Sequence, residues 1–222
     1  MPPLVLLHGI GTGPAGWRPQ VEALGGEVLA PDLVPAYRRG WHAAVEETSA
    51  LVAARAPVDV CGLSLGALLA LTLAASRPQD VARLVVCAGF AELPRGLRAR
   101  VRAIALAARV VPRGLLHAQL VADLPEPHRS RALAEIGSLR PREISRLMRE
   151  AAGVRIEPAR VVAPTRVLCG ERDRANAPLA RELADALPTA TLKKVPGAGH
   201  VANLDEPAAF TALLVEFLAR AD

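Results

Sequence analysis

A Gly-x-Ser-x-Gly turn between two apolar runs restricts the possible folds of this chain more than any other feature. A valine-rich run, Val58 to Cys61, leads into Gly62-Leu63-Ser64-Leu65-Gly66, and an apolar run at helical spacing follows. A nucleophile elbow requires this order of strand, turn and helix, because it exposes a serine hydroxyl at the carboxyl end of a strand. The turn is so tight that only small residues fit two positions before and after the serine. The alternative is a plain helix start with Ser64 as its N-cap residue.

Short apolar runs alternate with helical patterns at both ends of the chain. Alternation of this kind predicts a parallel sheet with helices on both faces. The predicted strands cover residues 4–7, 28–30, 58–61, 84–88, 165–169 and 190–195. The predicted helices cover residues 17–24, 41–55, 65–76, 177–187 and 207–219, with a loop at 35–40. The acids Asp32 and Asp205 are assigned structural roles, ordering the loop after the second strand and capping the last helix near Pro207, respectively.

The unusual polar residues follow four of these strands. His8 comes after the first strand, Ser64 after the third, Asp173 after the fifth and His200 after the sixth. Active sites of open α/β sheets lie outside the carboxyl ends of the strands. We therefore expect these side chains at one edge of the sheet.

The alternation breaks between residues 91 and 157, which we call the insert. It holds 13 arginines and 7 acidic residues, a net charge of +6, whereas the whole chain carries +5. Its pattern predicts helices at 98–111, 129–138 and 142–152. The basic excess reflects either solvated helix faces or a lid over the strand ends that attracts an anionic substrate group.

A serine hydroxyl becomes a nucleophile only with a base in hydrogen-bond reach and a third group that orients the base. His200, in a loop after the last strand, is the predicted base, and His8 beside the glycine turn is interpreted as structural. Asp173 is the predicted orienting acid, with Glu171 as the alternative because a loop can shift by a residue or two. The other histidines lie in the insert or at a helix start away from the strand ends: His42, His117 and His128.

Acyl transfer also needs donors for a developing oxyanion. The backbone amides of Ile10 and Leu65 are the candidates, and Gly9, Gly11 and Gly13 would let the first loop approach the reacting carbonyl. The same loop lacks the full dinucleotide-binding spacing and a P-loop lysine. Ile10, Leu65 and Phe90, together with insert residues, are expected to line a pocket for an apolar acyl or alcohol group.

Composition argues against several other classes of function. Aromatic residues make up only 3% of the chain, which gives a nucleic-acid surface little to stack on. The three cysteines, Cys61, Cys87 and Cys169, have no spacing typical of disulfides or metal sites, so they are expected to be reduced, buried thiols. The protein is expected to need neither a metal nor a cofactor. No apolar run reaches the length of a membrane span and no leader pattern precedes the first strand, so a cytoplasmic protein is expected.

Over nearly its whole length the chain resembles the α/β-hydrolase superfamily. It is similar to the branch with enol-lactonases, carboxylesterases and cofactor-free haloperoxidases in segments 6–11, 31–33, 62–67, 170–173 and 197–207. The resemblance implies a triad of Ser64, His200 and Asp173, with the oxyanion bound by the amides of Ile10 and Leu65. It also implies a sheet of about six strands, a core formed by residues 1–90 and 158–222, and a helical cap at 91–157.

The expected activity is hydrolysis of a small carboxylic ester or lactone through an acyl-enzyme on Ser64. Two alternatives stay open at this stage. One is different chemistry on the same fold, such as C–C bond hydrolysis, elimination or perhydrolysis. The other is a ligand-binding receptor that keeps the triad but turns over slowly. The sequence makes no prediction of oligomeric state.

Overall fold

A single parallel sheet of six strands forms the centre of the computed structural model, which describes residues 2–122, 124–126 and 128–219. The strands lie in the order β2-β1-β3-β4-β5-β6. Their bounds are β1 Leu4–Leu7, β2 Val28–Leu29, β3 Val58–Leu63, β4 Val81–Cys87, β5 Thr165–Gly170 and β6 Ala190–Val195. All five neighbouring pairs run parallel, so the predicted α/β class is confirmed.

Burial follows position in the sheet. The strands β1, β3 and β5 are buried at every residue, as expected where helices cover both faces. The edge strand β6 is largely exposed and carries Lys193 and Lys194, charges that discourage pairing with another sheet edge. The opposite edge strand, β2, is only two residues long.

Helices connect the strands and surround the sheet. Those of the core are α1 Arg18–Ala23, α2 Val34–Arg39, α3 Trp41–Ala53, α4 Leu65–Ser76, α9 Ala177–Ala186, α10 Ala202–Asp205 and α11 Pro207–Leu218. Those of the insert are α5 Arg95–Ala107, α6 Arg113–Leu120, α7 His128–Ile136 and α8 Pro141–Ala151. None of the helices within the described ranges is long and apolar enough to cross a lipid bilayer.

Two local predictions were wrong. The expected loop at 35–40 is helix α2, because Pro35 fits the first turn of a helix and Tyr37 is fully buried. The Tyr37 hydroxyl donates to the carbonyl of His8 at 2.6 Å, a contact between distant segments that no local pattern reveals. In the insert, helix α6 was not predicted, since eight residues between prolines carry little periodicity.

The strand register aligns the carboxyl ends of the central strands. Leu7 of β1 pairs with Gly62, and Leu63 at the end of β3 pairs with Cys87. Cys87 in turn pairs with Leu168 of β5. The residues that follow β1, β3, β4 and β5 therefore emerge side by side at one edge of the sheet.

Candidate active site

Ser64 stands in a strained turn between β3 and α4. Its φ is +54° and its ψ is −115°, a backbone conformation that residues with a side chain rarely adopt. A Cβ on Gly62 would lie 2.2 Å from the carbonyl oxygen of Gly66, and one on Gly66 would lie 2.0 Å from that of Leu7. The Ser64 amide donates to the carbonyl of Cys87 at 2.8 Å, which fixes the turn to the neighbouring strand. The geometry is that of an elbow, and Ser64 makes no side-chain cap to α4.

The structure brings together the three side chains that the sequence singled out. His200 Nε2 lies 3.3 Å from Ser64 Oγ, and His200 Nδ1 lies 2.9 Å from Asp173 Oδ2. The Asp173 side chain is 6% exposed and that of His200 is 34% exposed. A half-open imidazole between a hydroxyl and a buried carboxylate can accept the serine proton while the carboxylate stabilises the resulting charge.

Asn176 is a fourth polar group in this cluster, and the sequence analysis did not single it out. Its Nδ2 donates to both oxygens of Asp173, at 2.9 and 2.8 Å, and lies 3.1 Å from His200 Nδ1. Burial by itself would raise the pKa of Asp173, but the hydrogen bonds from His200 and Asn176 outweigh burial and hold that pKa below its usual value. The one signal in the sequence is position, because Asn176 comes three residues after Asp173 and directly before α9.

Other acids near the site have different partners. Glu171, the alternative orienting acid, is exposed and accepts a hydrogen bond from the amide of Gly197 at 2.9 Å. Asp205, expected near the start of the last helix, also contacts the loop that carries His200. Its Oδ2 accepts from the amide of Gly199 at 2.8 Å, so it supports the loop that carries His200. Asp32 accepts from the amide of Val34 at 3.0 Å, in agreement with its predicted role in ordering that loop.

The loop after β1 approaches Ser64 through one of its three glycines. A Cβ on Gly9 would come within 3.3 Å of the Ser64 Cβ. Gly11 and Gly13 instead face the insert, where a Cβ would meet the Leu120 carbonyl and the Glu135 side chain, each at 2.6 Å. Gly9 therefore allows the close approach to Ser64, whereas Gly11 and Gly13 allow the same loop to pack closely against the insert.

The two amides proposed for the oxyanion belong to residues that line one cavity with Ser64. Ile10 follows Gly9 in the first loop, and Leu65 is the first residue of α4, where backbone N–H groups lack an acceptor within the helix. Phe90 lines the same cavity, as expected.

This cavity has a volume of about 310 Å³ and lies between the sheet edge and the insert. The core contributes residues around Ser64 and His200, and the insert contributes side chains from α5 and α8. None of the insert arginines is part of the lining. Arg98 binds Glu92 and the carbonyl of Leu93, whereas Arg146 donates to the carbonyl of Arg38. The structure therefore does not support the interpretation of the basic excess as a substrate-binding charge.

The three cysteines are free and buried. Burial raises the pKa of each thiol above its ordinary value, and the nearby Asp173 adds to that effect at Cys169. These thiols are therefore protonated near neutral pH and are poor nucleophiles.

Comparison with known proteins identifies the family of this chain. The profile of the alpha/beta hydrolase family matches residues 4–213, almost the full length. The chain belongs to the alpha/beta hydrolase family. Among curated proteins, this hydrolase is 29% identical over 255 residues to a protein named putative carbamate hydrolase RutD from Variovorax paradoxus (strain S110). That match covers 98% of this chain and 91% of the relative.

Solved structures of other members share the fold. A hydrolase from Pseudomonas aeruginosa PA01 superposes with a TM-score of 0.84 at 24% identity, over 99% of this chain and 90% of the other. An enol-lactonase from Burkholderia xenovorans LB400 gives a TM-score of 0.76 at 23% identity, over 99% and 92%. A thermophilic esterase from Thermogutta terrifontis gives 0.79 at 21% identity, over 98% and 89%. The neighbours thus carry several hydrolytic activities on one architecture.

Proposed function

We propose that this alpha/beta hydrolase cleaves a small carboxylic ester or lactone through an acyl-enzyme on Ser64. The observation that carries the proposal is the continuous contact from Ser64 Oγ through His200 to the buried Asp173 carboxylate, beside an apolar cavity. We also propose that the insert acts as a cap, because its helices α5 and α8 form one wall of that cavity.

The reaction would proceed in two halves. Ser64 Oγ attacks the carbonyl carbon while its proton passes to His200 Nε2, and the amides of Ile10 and Leu65 stabilise the oxyanion. Collapse of the tetrahedral intermediate breaks the ester bond, and the departing alkoxide takes the proton from His200. Water then loses a proton to His200 and attacks the acyl carbon. The bond from that carbon to Ser64 Oγ breaks, Oγ takes the proton back from His200, and the acid is released. These steps call for no metal or cofactor.

A substrate screen tests the reaction class. The panel holds p-nitrophenyl esters of graded chain length, lactones, and aryl carbamates, which are included because of the similarity to a putative carbamate hydrolase. We expect multiple turnovers on an ester or lactone and loss of that activity in Ser64→Ala. Near-native activity of Ser64→Ala would contradict the proposal. Labelling of Ser64 by a fluorophosphonate without turnover of any panel member would favour a binding protein or other chemistry on the same fold.

A further inference from the structure

The cavity beside Ser64 offers a substrate very few polar contacts. Its lining is aliphatic or aromatic apart from Ser64, Asn176 and His200. The larger apolar side chains of α5, α8 and α9 and of the segment before α5 form what we call the apolar wall: Leu93, Leu97, Val101, Leu147, Met148 and Leu179. Several of these side chains also form a small apolar cluster of their own, separate from the main core.

Neither of the arginines that follow Leu97 and Val101 on α5 is part of the cavity lining. Arg98 follows Leu97 on α5, yet its guanidinium contacts Glu92 and the carbonyl of Leu93. Arg102 follows Val101 and is exposed. A substrate carboxylate inside the cavity would therefore lose its hydration without gaining a cationic partner, which costs several kcal/mol.

We infer that the substrate group held in this cavity is uncharged and apolar, and that substrates carrying a carboxylate there are rejected. The inference rests on the proposed function and narrows its substrate class to neutral aliphatic or aryl esters and lactones. A cavity of about 310 Å³ lies at the small end of ligand pockets, which favours a short aliphatic chain or a single ring.

A matched pair of esters tests the inference. p-Nitrophenyl hexanoate and the mono-p-nitrophenyl ester of adipic acid have the same chain length and differ by a terminal carboxylate. We expect kcat/KM for the adipate ester to be lower than for the hexanoate ester by about 100-fold or more. Equal kcat/KM values for the two esters would overturn the inference while leaving the proposed function intact.

Placing a cation in the cavity should weaken the preference for the neutral ester. Val101→Arg puts a guanidinium on the lining, and Leu97→Arg is the second variant if the first does not fold. We expect either to raise relative activity on the adipate ester by about tenfold or more. Val110→Arg is the matched control, because Val110 lies in the same insert, is 86% exposed and does not line the cavity. A gain in Val110→Arg equal to that in the cavity variants would count against the inference.

Labelling of Ser64 separates this inference from the proposed reaction. Two fluorophosphonates, one with a plain hexyl chain and one whose chain ends in a carboxylate, report fit to the cavity without any need for turnover. Faster labelling by the neutral probe, with no hydrolysis of any ester, would sustain the cavity's selectivity and defeat the proposed function. Equal labelling rates would defeat the selectivity alone.

A second inference concerns Asn176 and comes from the contacts of Asp173. Oδ2 of Asp173 accepts from both His200 Nδ1 and Asn176 Nδ2, and Oδ1 accepts from the Asn176 side chain and, at 3.3 Å, its backbone amide. Asn176 occupies the N-cap position of α9 but makes no side-chain cap bond to that helix. Its polar side chain therefore serves the carboxylate rather than the helix start.

We propose that Asn176 is a positioning residue that keeps Asp173 Oδ2 directed at His200. Without the Asn176 amide, Oδ1 would lose its side-chain donor inside a buried site, and the carboxylate would rotate to recover a partner. The role again rests on the proposed function, because it presupposes that His200 acts as the base for Ser64.

A double-mutant cycle tests this role. We expect Asn176→Ala to lower kcat by about tenfold or more in the wild-type background and to have almost no effect when Asp173 is already replaced by Ala. Asn176→Ser keeps a good N-cap residue while removing the contact with the carboxylate, so it should lose as much activity as Asn176→Ala. Equal losses of kcat from Asn176→Ala in both backgrounds, or full activity in Asn176→Ser, would overturn the role. If Ser64→Ala retained full activity, the proposed function itself would be the part that fails.

Discussion

Both ring nitrogens of His200 and both carboxylate oxygens of Asp173 make contacts within this site. The imidazole of His200 contacts Ser64 through Nε2 and Asp173 through Nδ1, and the Asp173 carboxylate contacts Asn176 as well. A residue in such a cluster cannot be replaced without leaving a buried partner unsatisfied. Effects of substitution should therefore be large and specific to the cluster.

Replacement of Ser64 or His200 by Ala should lower kcat by about 10⁴-fold or more, and Asp173→Asn somewhat less. The reason is that the first two lose the proposed nucleophile or base, whereas Asp173→Asn keeps the shape of the proposed orienting group. Glu171→Gln is the matched control and should stay within a few-fold of wild type, since Glu171 contacts the Gly197 amide rather than His200. Ester kinetics on the purified variants measure this order. A larger loss from Glu171→Gln than from Asp173→Asn would exchange their roles.

We expect His8 to make the stability of the protein depend on pH. Its Nδ1 lies 2.8 Å from the Gly9 carbonyl and its Nε2 lies 3.0 Å from the Leu33 amide, so Nε2 must accept and the ring must be neutral. Burial lowers the pKa of His8 from 6.5 to about 4. Between these pH values the unfolded chain binds a proton that the folded protein does not.

Stability should therefore fall as pH drops from 6.5 to 4, by about 3 kcal/mol in total. Urea unfolding at several pH values in this range measures the slope. His8→Gln should be less stable at pH 7 but show a shallower slope, because glutamine does not titrate. A His8→Gln slope as steep as that of wild type would assign the pH dependence to other groups.

At the level of elements, the elbow depends on contact between the backbones of β1, β3 and α4. Gly66 lies in the first turn of α4 against the end of β1, and a Cβ there would lie 2.0 Å from the Leu7 carbonyl oxygen. Neither backbone can retreat, because β1 lies within the sheet between β2 and β3. A glycine at this place is required by packing rather than by helix propensity.

Gly66→Ala should therefore destabilise the fold by about 3 kcal/mol or more, or prevent folding. Gly114→Ala is the matched control, since Gly114 lies in α6 and an added Cβ would meet nothing within 4 Å. There the substitution should stabilise by roughly 0.5–1 kcal/mol, because alanine has the higher helix propensity. Thermal unfolding of both variants gives the comparison. Similar midpoints for the two would mean that the close approach at Gly66 is not restrictive.

At the level of the whole molecule, the cavity exists because the insert packs against the core. Glu135 of α7 accepts from the Ala15 amide at 3.0 Å, and Glu150 of α8 accepts from the Trp41 amide at 2.8 Å. Both contacts join segments more than 100 residues apart. Loosening either one should open the insert without unfolding the sheet.

Glu135→Ala should make the insert more sensitive to trypsin by about tenfold while leaving the main thermal transition nearly unchanged. The physical reason is that the lost hydrogen bond holds α7 to the first loop, and the insert is rich in arginine. Glu126→Ala is the control, because the exposed Glu126 contacts Ser130 within the insert. Mass spectrometry of early fragments locates the cleavage. Cleavage confined to the core, or equal in the two variants, would contradict this contact's role.

Local sequence determined the strands, the elbow and the polar residues at the strand ends. Alternating apolar runs predict a parallel sheet because helices must cover both of its faces, and Gly62 and Gly66 indicate a turn that excludes larger residues. Chain order then predicts which acid and which histidine accompany Ser64. The exposure of Glu171 and the burial of Asp173 could not be read this way, since a two-residue difference in a loop leaves no periodic signal.

Only the tertiary structure decided the contacts between distant segments. Helix α2 forms because Tyr37 reaches His8, Gly11 and Gly13 face the insert, and Asn176 binds Asp173 beside His200. The sequence likewise could not show that the insert arginines stay out of the cavity lining. A one-dimensional pattern records which face of an element is apolar, whereas the partner of a polar group depends on which remote segment the fold brings within about 3 Å.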